Sequence, residues 1–164
     1  MKILNHQQIQ QKIKRLAYQI VESNLSYKKL YLLGINNNGR RLAELIKIEL
    51  RKIALLEVVQ GNIRLNPANP LEANIEIDIP ISELENQSVL ITDDVANTGR
   101  TLFYGFSAVM QTLPRRIQVG VLIDRKHKNF PVKVDYVGMT LATTLKENID
   151  VDLETEGEMS VNLN

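Results

Sequence analysis

The stretch Val89–Leu102, VLITDDVANTGRTL, decides how the rest of the chain reads. It opens on the apolar run Val89-Leu90-Ile91 and ends that run in two adjacent carboxylates, Asp93 and Asp94. Thr98, Gly99, Arg100 and Thr101 follow, and then a second apolar run begins. A short apolar run bounded by polar residues predicts a buried strand over 89–92, and the pattern after the loop predicts a helix over 101–112. Backbone N–H groups of Thr98–Thr101, at the start of that helix, converge on an anion, Gly99 lets the backbone approach it, and two hydroxyls add donors. Like charge keeps Asp93 and Asp94 off the same anion. They face a metal, or neutral hydroxyls that donate to them. A ribose 5-phosphate satisfies both halves, with phosphate in the loop and the 2- and 3-hydroxyls on the carboxylates. The alternative is a strand-end acidic pair of which one member caps the helix.

Working outward, Ile9, Ile13, Leu16, Ile20 and Val21 recur at helical spacing behind Asn5, which predicts an N-capped amphipathic helix over residues 6–23. Leu30–Leu33 predicts a buried strand ending at Gly34. Leu42, Leu45, Ile46, Leu50 and Ile53 mark a second helix, and Leu55–Val59 the next strand. Residues 61–74, GNIRLNPANPLEAN, read as a long mobile loop. Ile75, Ile77 and Ile79 alternate like a half-buried strand, and Val119–Ile123 is another strand. Val132, Val134 and Tyr136 alternate, as do Ile149, Val151 and Leu153, and both sets read as strands near the end of the sheet. The stretch EMSVNLN carries a fainter strand signal. Strand and helix alternate through the middle, so the expected class is α/β with a mostly parallel sheet. Ligands of such sheets bind beyond the carboxyl ends of the strands. Two loops stand there, Gly34–Gly39 and Asp93–Thr101.

The first of these, GINNNG, has the two-glycine opening of a phosphate-binding P-loop, but Arg40 and Arg41 stand where that motif needs Lys and Ser/Thr. By itself the loop is read first as a structural turn before a helix. The chain of 164 residues suits one domain over 1–164, and its 44% apolar and 24% charged content is that of a globular protein. Cys is absent, which excludes disulfides, thiolate metal sites and a cysteine nucleophile. The first nineteen residues are too polar for a signal peptide and no apolar run suits a membrane span, so the expectation is a cytoplasmic protein with no membrane partner. A net charge of +1 gives no global attraction to nucleic acid. Locally, Arg125, Lys126, His127, Lys128 and Lys133 form a basic stretch, and Glu147, Asp150, Asp152, Glu154, Glu156 and Glu158 an acidic tail, both readable as solvated surface.

VLITDDVANTGRTL resembles the signature of the type I phosphoribosyltransferases: an apolar strand, two acidic residues and a TGxT loop. VLIDRKHKNFPVKVDYVGM, Val121–Met139, is similar to the matching segment of the pyrimidine operon attenuator proteins, which are also uracil phosphoribosyltransferases. The likeness covers most of residues 3–153 and leaves the acidic tail 154–164 outside. It implies a mostly parallel sheet flanked by helices, with a small hood and a flexible loop. It implies that Asp93 and Asp94 form the catalytic, ribose-binding pair for phosphoribosyl pyrophosphate. Val95, Ala96, Asn97, Thr98, Gly99, Arg100 and Thr101 then enclose the 5-phosphate. Gly34, Ile35, Asn36, Asn37, Asn38, Gly39 and Arg40 form the diphosphate-facing turn. Asp124, Arg125, Tyr136 and Val137 lie by the base, and His127, Lys128 and Lys133 contact RNA. No protein side chain ligates the metal directly; Mg2+ bridges ligand oxygens. A homo-oligomer is implied as well.

The departures from the pattern cluster. The diphosphate-facing turn usually carries an Arg where this chain has Asn36, Asn37 and Asn38. The flexible loop usually offers Tyr-Arg-Asp-Asp where this chain has Asn66-Pro67-Ala68-Asn69, and Arg64 is the cation left there. Met139 replaces a lysine at the RNA-binding edge. Two functions stay open on this reading. One is transfer of phosphoribosyl to uracil or a related base, with pyrimidine-linked RNA regulation. The other is a catalytically weak or inactive nucleotide sensor or RNA-binding regulator that keeps the ribose 5-phosphate site.

Overall fold

The computed structural model describes residues 1–144 and 146–164. Its centre is a six-stranded sheet. In chain order the strands are β2 (Lys29–Ile35), β3 (Glu57–Arg64), β4 (Glu76–Ile77), β5 (Ser88–Ala96), β6 (Arg116–Arg125) and β7 (Tyr136–Leu141), following a short β1 (Lys2–Leu4). The spatial order is β4-β3-β2-β5-β6-β7, with β4 antiparallel at one edge and the other five parallel. A mostly parallel sheet is what the alternating pattern predicts.

Both faces are covered, and the side-chain alternation of each strand shows how. Leu30 and Leu32 of β2 pack into one core with α1 (His6–Ser23) and α2 (Asn36–Ile53), whereas Tyr31, Leu33 and Ile35 pack into the other. The second core is closed by α3 (Arg100–Gly105), a 3-10 turn at Phe106–Ala108, and the chain around Ile75–Leu84. Helix α1 begins where predicted, in a capping box: Asn5 Oδ1 accepts from Gln8 N at 2.9 Å, and Gln8 Oε1 accepts from Asn5 N at 2.9 Å. Its buried stripe is Ile9, Ile13, Leu16, Ala17 and Ile20.

Several predicted bounds shift. Strand β3 lies further along than Leu55–Val59, because its parallel register runs from Lys29↔Glu57 to Ile35↔Ile63. Gly61 and Asn62, read as loop, are therefore in the strand. A Cβ on Gly61 would stand 2.9 Å from Leu33 Cδ2, and the buried Asn62 amide donates to the Gly34 and Asn36 carbonyls at 2.5 and 3.3 Å. Of the Ile75–Ile79 alternation, Glu76–Ile77 alone pairs. The helix after the TGRT loop is one and a half turns rather than three. Gly105 weakens it, and the Ser107 hydroxyl donates to the Tyr104 carbonyl at 2.6 Å, competing with the helical N–H. Val132 and Val134 pack on the second core without pairing, so β7 starts at Tyr136.

The largest difference is at the chain ends. Ile149–Asp152 (β8) does not extend the main sheet. It joins β9 (Ser160–Leu163) and β1 in a separate antiparallel sheet of order β1-β9-β8. The end of the chain is thus a structural strand, with Met159 and Val161 buried in the α1–α2 core, while Glu154, Glu156 and Glu158 lie in the exposed connection between β8 and β9. This small sheet is the hood, and it stands over the carboxyl end of β5.

Candidate functional site

At the carboxyl end of the sheet, β2 passes directly into α2 and β5 into the TGRT loop. The first turn is tight for a stated reason. A Cβ on Gly34 would lie 2.5 Å from the Arg40 backbone, and one on Gly39 would lie 2.6 Å from the Thr92 carbonyl oxygen. Glycine at both positions lets α2 start against the tip of β5, where Thr92 Oγ1 donates to the Gly39 carbonyl at 3.1 Å. This juxtaposition brings GINNNG and TDDVANTGRT, whose facing ends Gly39 and Thr92 are 53 residues apart in sequence, onto one cavity.

The cavity is about 430 Å³, with Asn36, Asn37 and Asn38 on one wall, Asp93, Asp94 and Val95 on the other, and Pro67 and Ile149 at its rim. A second cavity of about 250 Å³ adjoins it, enclosed by Val95–Leu102 and Pro67. Val95, Asn97, Thr101 and Pro67 line both. The smaller chamber is lined by all four residues of the TGRT loop. Gly99 adopts φ +87°, the left-handed region glycine occupies freely, and a Cβ there would crowd Val132 and Phe130. The loop's outer side is pinned: Asn129 N and Phe130 N both donate to the Thr98 carbonyl, at 2.9 and 3.2 Å. The Thr98 carbonyl is thereby drawn outward, and Arg100 N turns back to Thr98 Oγ1 at 3.4 Å, so the donors the loop could offer an anion are its other N–H groups and the Thr101 hydroxyl. With α3 only six residues long, the helix adds little dipole of its own to this end of the loop.

Asp93 and Asp94 form the other wall. Asp93 is buried, and its Oδ1 accepts from Asp94 N at 2.9 Å. Burial, with the Asp94 charge beside it, pushes its carboxyl well above the ordinary range. Asp94 Oδ1 accepts from Val95 N at 2.9 Å, and its Oδ2 accepts from Asn38 Nδ2 at 2.7 Å. Among the described lining residues of the larger cavity, these two carboxylates are the charged groups.

The remaining predicted residues divide. Gly34 shapes the turn without lining either cavity, Ile35 lines the larger one, and Arg40 and Arg64 are exposed and line neither. Arg125 reaches the site indirectly. Its Nη1 donates to Asn97 Oδ1 at 3.2 Å and its Nη2 to the Thr144 carbonyl at 2.5 Å, strapping the TGRT loop to the chain before β8. Asp124 pairs with Lys128 at 2.6 Å rather than facing the cavity. Tyr136 is a core residue: its hydroxyl meets Gln118 Oε1 at 2.8 Å and Ser23 Oγ, and its ring packs with α1. The Val137 carbonyl accepts from Arg15 at 3.2 Å. Neither Tyr136 nor Val137 lines the cavity, because β7 enters the sheet there, several residues before its carboxyl end. Ile149, absent from the predicted set, supplies the apolar edge instead. Its alternation with Val151 and Leu153 marks a strand, but nothing local says that strand folds over β5.

In the basic stretch, Lys126, His127 and Lys133 are exposed. Lys128 is held between Asp124 and the Arg125 carbonyl. Lys133 lies 3.6 Å from Asp135 with its side chain 88% exposed, so it remains solvated.

Comparison with known proteins agrees with this geometry. Residues 1–155 match the phosphoribosyl transferase domain family. The bifunctional protein PyrR of Fusobacterium nucleatum is 35% identical over 169 residues, covering 97% of this chain and 94% of that protein. The pyrimidine operon regulatory protein of Lactococcus lactis is also 35% identical, covering 91% of this chain and 88% of its own. Among solved structures, a hypoxanthine phosphoribosyltransferase of Trypanosoma cruzi superposes with a TM-score of 0.77 at 19% identity, over 98% of this chain and 94% of that one. At that identity the likeness speaks for the fold. Family match, relatives and fold agree, and the chain belongs to the phosphoribosyl transferase family, with the type I fold.

Proposed function

We propose that the chain binds 5-phosphoribosyl ligands across the tip of β5 and transfers phosphoribosyl from phosphoribosyl pyrophosphate to uracil, working in the cytoplasm as a homo-oligomer. The observation that carries the reading is the pairing of an amide-lined chamber with a carboxylate-lined one, sharing Val95, Asn97 and Thr101. In this reading the 5-phosphate lies against the amides and hydroxyls of Asn97–Thr101, and Asp93 and Asp94 accept hydrogen bonds from the 2- and 3-hydroxyls. Ile149 offers an apolar face to the base, and the Arg125 strap sets the distance between phosphate loop and base. The C1–oxygen bond breaks with its electron pair leaving on pyrophosphate, and uracil N1 closes the new bond to C1 as its proton departs to pyrophosphate or water.

The hard carboxylate oxygens of Asp93 and Asp94 suit Mg2+ held through ligand hydroxyls and water. When bound, the ion supplies positive charge to the diphosphate. The names of the relatives support a second role for this chain in pyrimidine operon regulation through RNA. Exposed Lys126, His127 and Lys133 are the side chains offered for it. The test is direct: the purified chain with phosphoribosyl pyrophosphate, Mg2+ and uracil should form uridine monophosphate. No product from uracil, cytosine or any purine base refutes transfer.

A further inference from the structure

The turn Asn36–Asn38 faces the strand tip across the larger cavity, and its side chains act as fasteners. Asn36 adopts φ +52° and commits both ends of its amide to one backbone position. Its Nδ2 donates to the Leu65 carbonyl at 2.9 Å and its Oδ1 accepts from Leu65 N at 3.1 Å. Asn38 Nδ2 donates to Asp94 Oδ2 at 2.7 Å and reaches the Val151 carbonyl of β8 at 3.5 Å. One asparagine thus ties the turn to the root of the 65–75 loop, and another ties it to the acidic pair and the hood. Nearby cations do not compensate. Arg41 is turned to the Leu153 carbonyl and Glu44, and Arg100 to the Pro67 carbonyl. Among the described residues lining this cavity, formal charge is negative throughout.

We infer that Asn36–Asn38 makes this site select by phosphate count, retaining a pentose carrying a single 5-phosphate and gaining nothing from a diphosphate on C1. The inference rests on the ribose 5-phosphate reading above and says which ligand class that site prefers: a nucleoside monophosphate over phosphoribosyl pyrophosphate. A diphosphate brought to this wall meets two carboxylates and three neutral amides. The first N–H groups of α2 attract it, but a neutral amide dipole is a weaker anion partner than a guanidinium. The diol does not conflict with Asn38, because a carboxylate oxygen has a second lone pair for a ribose hydroxyl. Asn38 in fact pre-orients Asp94 for it. Mg2+ brought with the ligand is then what makes the diphosphate tolerable, so its affinity depends on the ion far more than that of a monophosphate.

The test compares ligands that differ at C1. The full chain is titrated calorimetrically with ribose 5-phosphate, phosphoribosyl pyrophosphate and uridine monophosphate, first without Mg2+ and then with it. Without the ion, phosphoribosyl pyrophosphate should bind no tighter than ribose 5-phosphate, and uridine monophosphate tightest. Asn38→Arg should raise phosphoribosyl pyrophosphate affinity by about tenfold or more, the scale of a charge-assisted bond, and change ribose 5-phosphate much less. Asn37→Arg, at an exposed position of the same turn, should do the same and serves if Asn38→Arg fails to fold. Tighter binding of phosphoribosyl pyrophosphate than of both other ligands by the unaltered chain overturns the inference alone. Failure of ribose 5-phosphate to bind overturns the site reading beneath it.

Discussion

Gly39→Ala isolates how α2 and β5 are brought together. The added Cβ would stand 2.6 Å from the Thr92 carbonyl oxygen, whereas ordinary contact begins at 3.4 Å, so the two backbones must part by about 0.8 Å. Both partners are backbone, and neither can rotate away. Overpacking of this kind costs about 1–3 kcal/mol, and for a chain of this length each kcal/mol lowers Tm by about 2–4 °C. The neighbouring Asn38 moves with the helix, so its 2.7 Å bond to Asp94 lengthens to the edge of hydrogen bonding. A misplacement near 1 Å can cost about 10²-fold in a site that depends on alignment. Gly120→Ala is the control, since its Cβ would meet nothing closer than 3.6 Å. Thermal denaturation and uridine monophosphate titration of both variants give the answer. Gly39→Ala should lose stability and affinity together, and Gly120→Ala should keep both. Equal behaviour of the two variants, in either direction, refutes the reasoning.

Two further outcomes follow from the same geometry. Asp93 ionises less readily folded than unfolded, so its contribution is full below its ordinary value near 3.8 and is lost as pH rises through the folded value. Asp93→Asn removes that loss while keeping an Oδ1 for Asp94 N, so it should match the parent near pH 4 and exceed it at pH 8; a pH-independent difference in urea melts would contradict this. In the RNA role, Lys133→Gln should reduce the slope of log affinity against log salt by about 0.7–0.9, one phosphate's worth. Lys128→Gln should leave the slope unchanged, because its ammonium is already held by Asp124.

The parts of this protein legible in sequence are those specified locally. Helix α1 announces itself through Asn5, Gln8 and a five-residue apolar stripe, and β5 through an apolar run ending at Asp93. Both glycine-bearing loops were placed at the right end of the sheet because parallel strands leave their carboxyl ends there. What was not legible is what long-range pairing decides. The hood joins β1, β8 and β9 from opposite ends of the chain, and three- and four-residue strands have too short a period to assign to a sheet. Ile149 therefore entered the site unannounced, while Tyr136, aromatic and near the right segment, belongs to the core. Gly61-Asn62 reads as loop, yet both are strand positions, because the parallel pairing of β3 with β2 runs on to Ile35↔Ile63. The bonds from Asn38 to Asp94 and from Asn36 to Leu65 likewise depend on the tight α2–β5 approach, which no local pattern encodes.

The measurement that bears most directly on the account is calorimetric titration of ribose 5-phosphate into the parent chain and into the double variant Asp93→Asn, Asp94→Asn. Asn keeps an accepting oxygen but loses the charge, and a hydrogen bond to a charged group is worth about 1 kcal/mol more than a neutral one, so loss of both charges should weaken binding by about tenfold or more, with the fold intact by circular dichroism. Undiminished affinity in the folded double variant would contradict a pentose phosphate lying across the tip of β5.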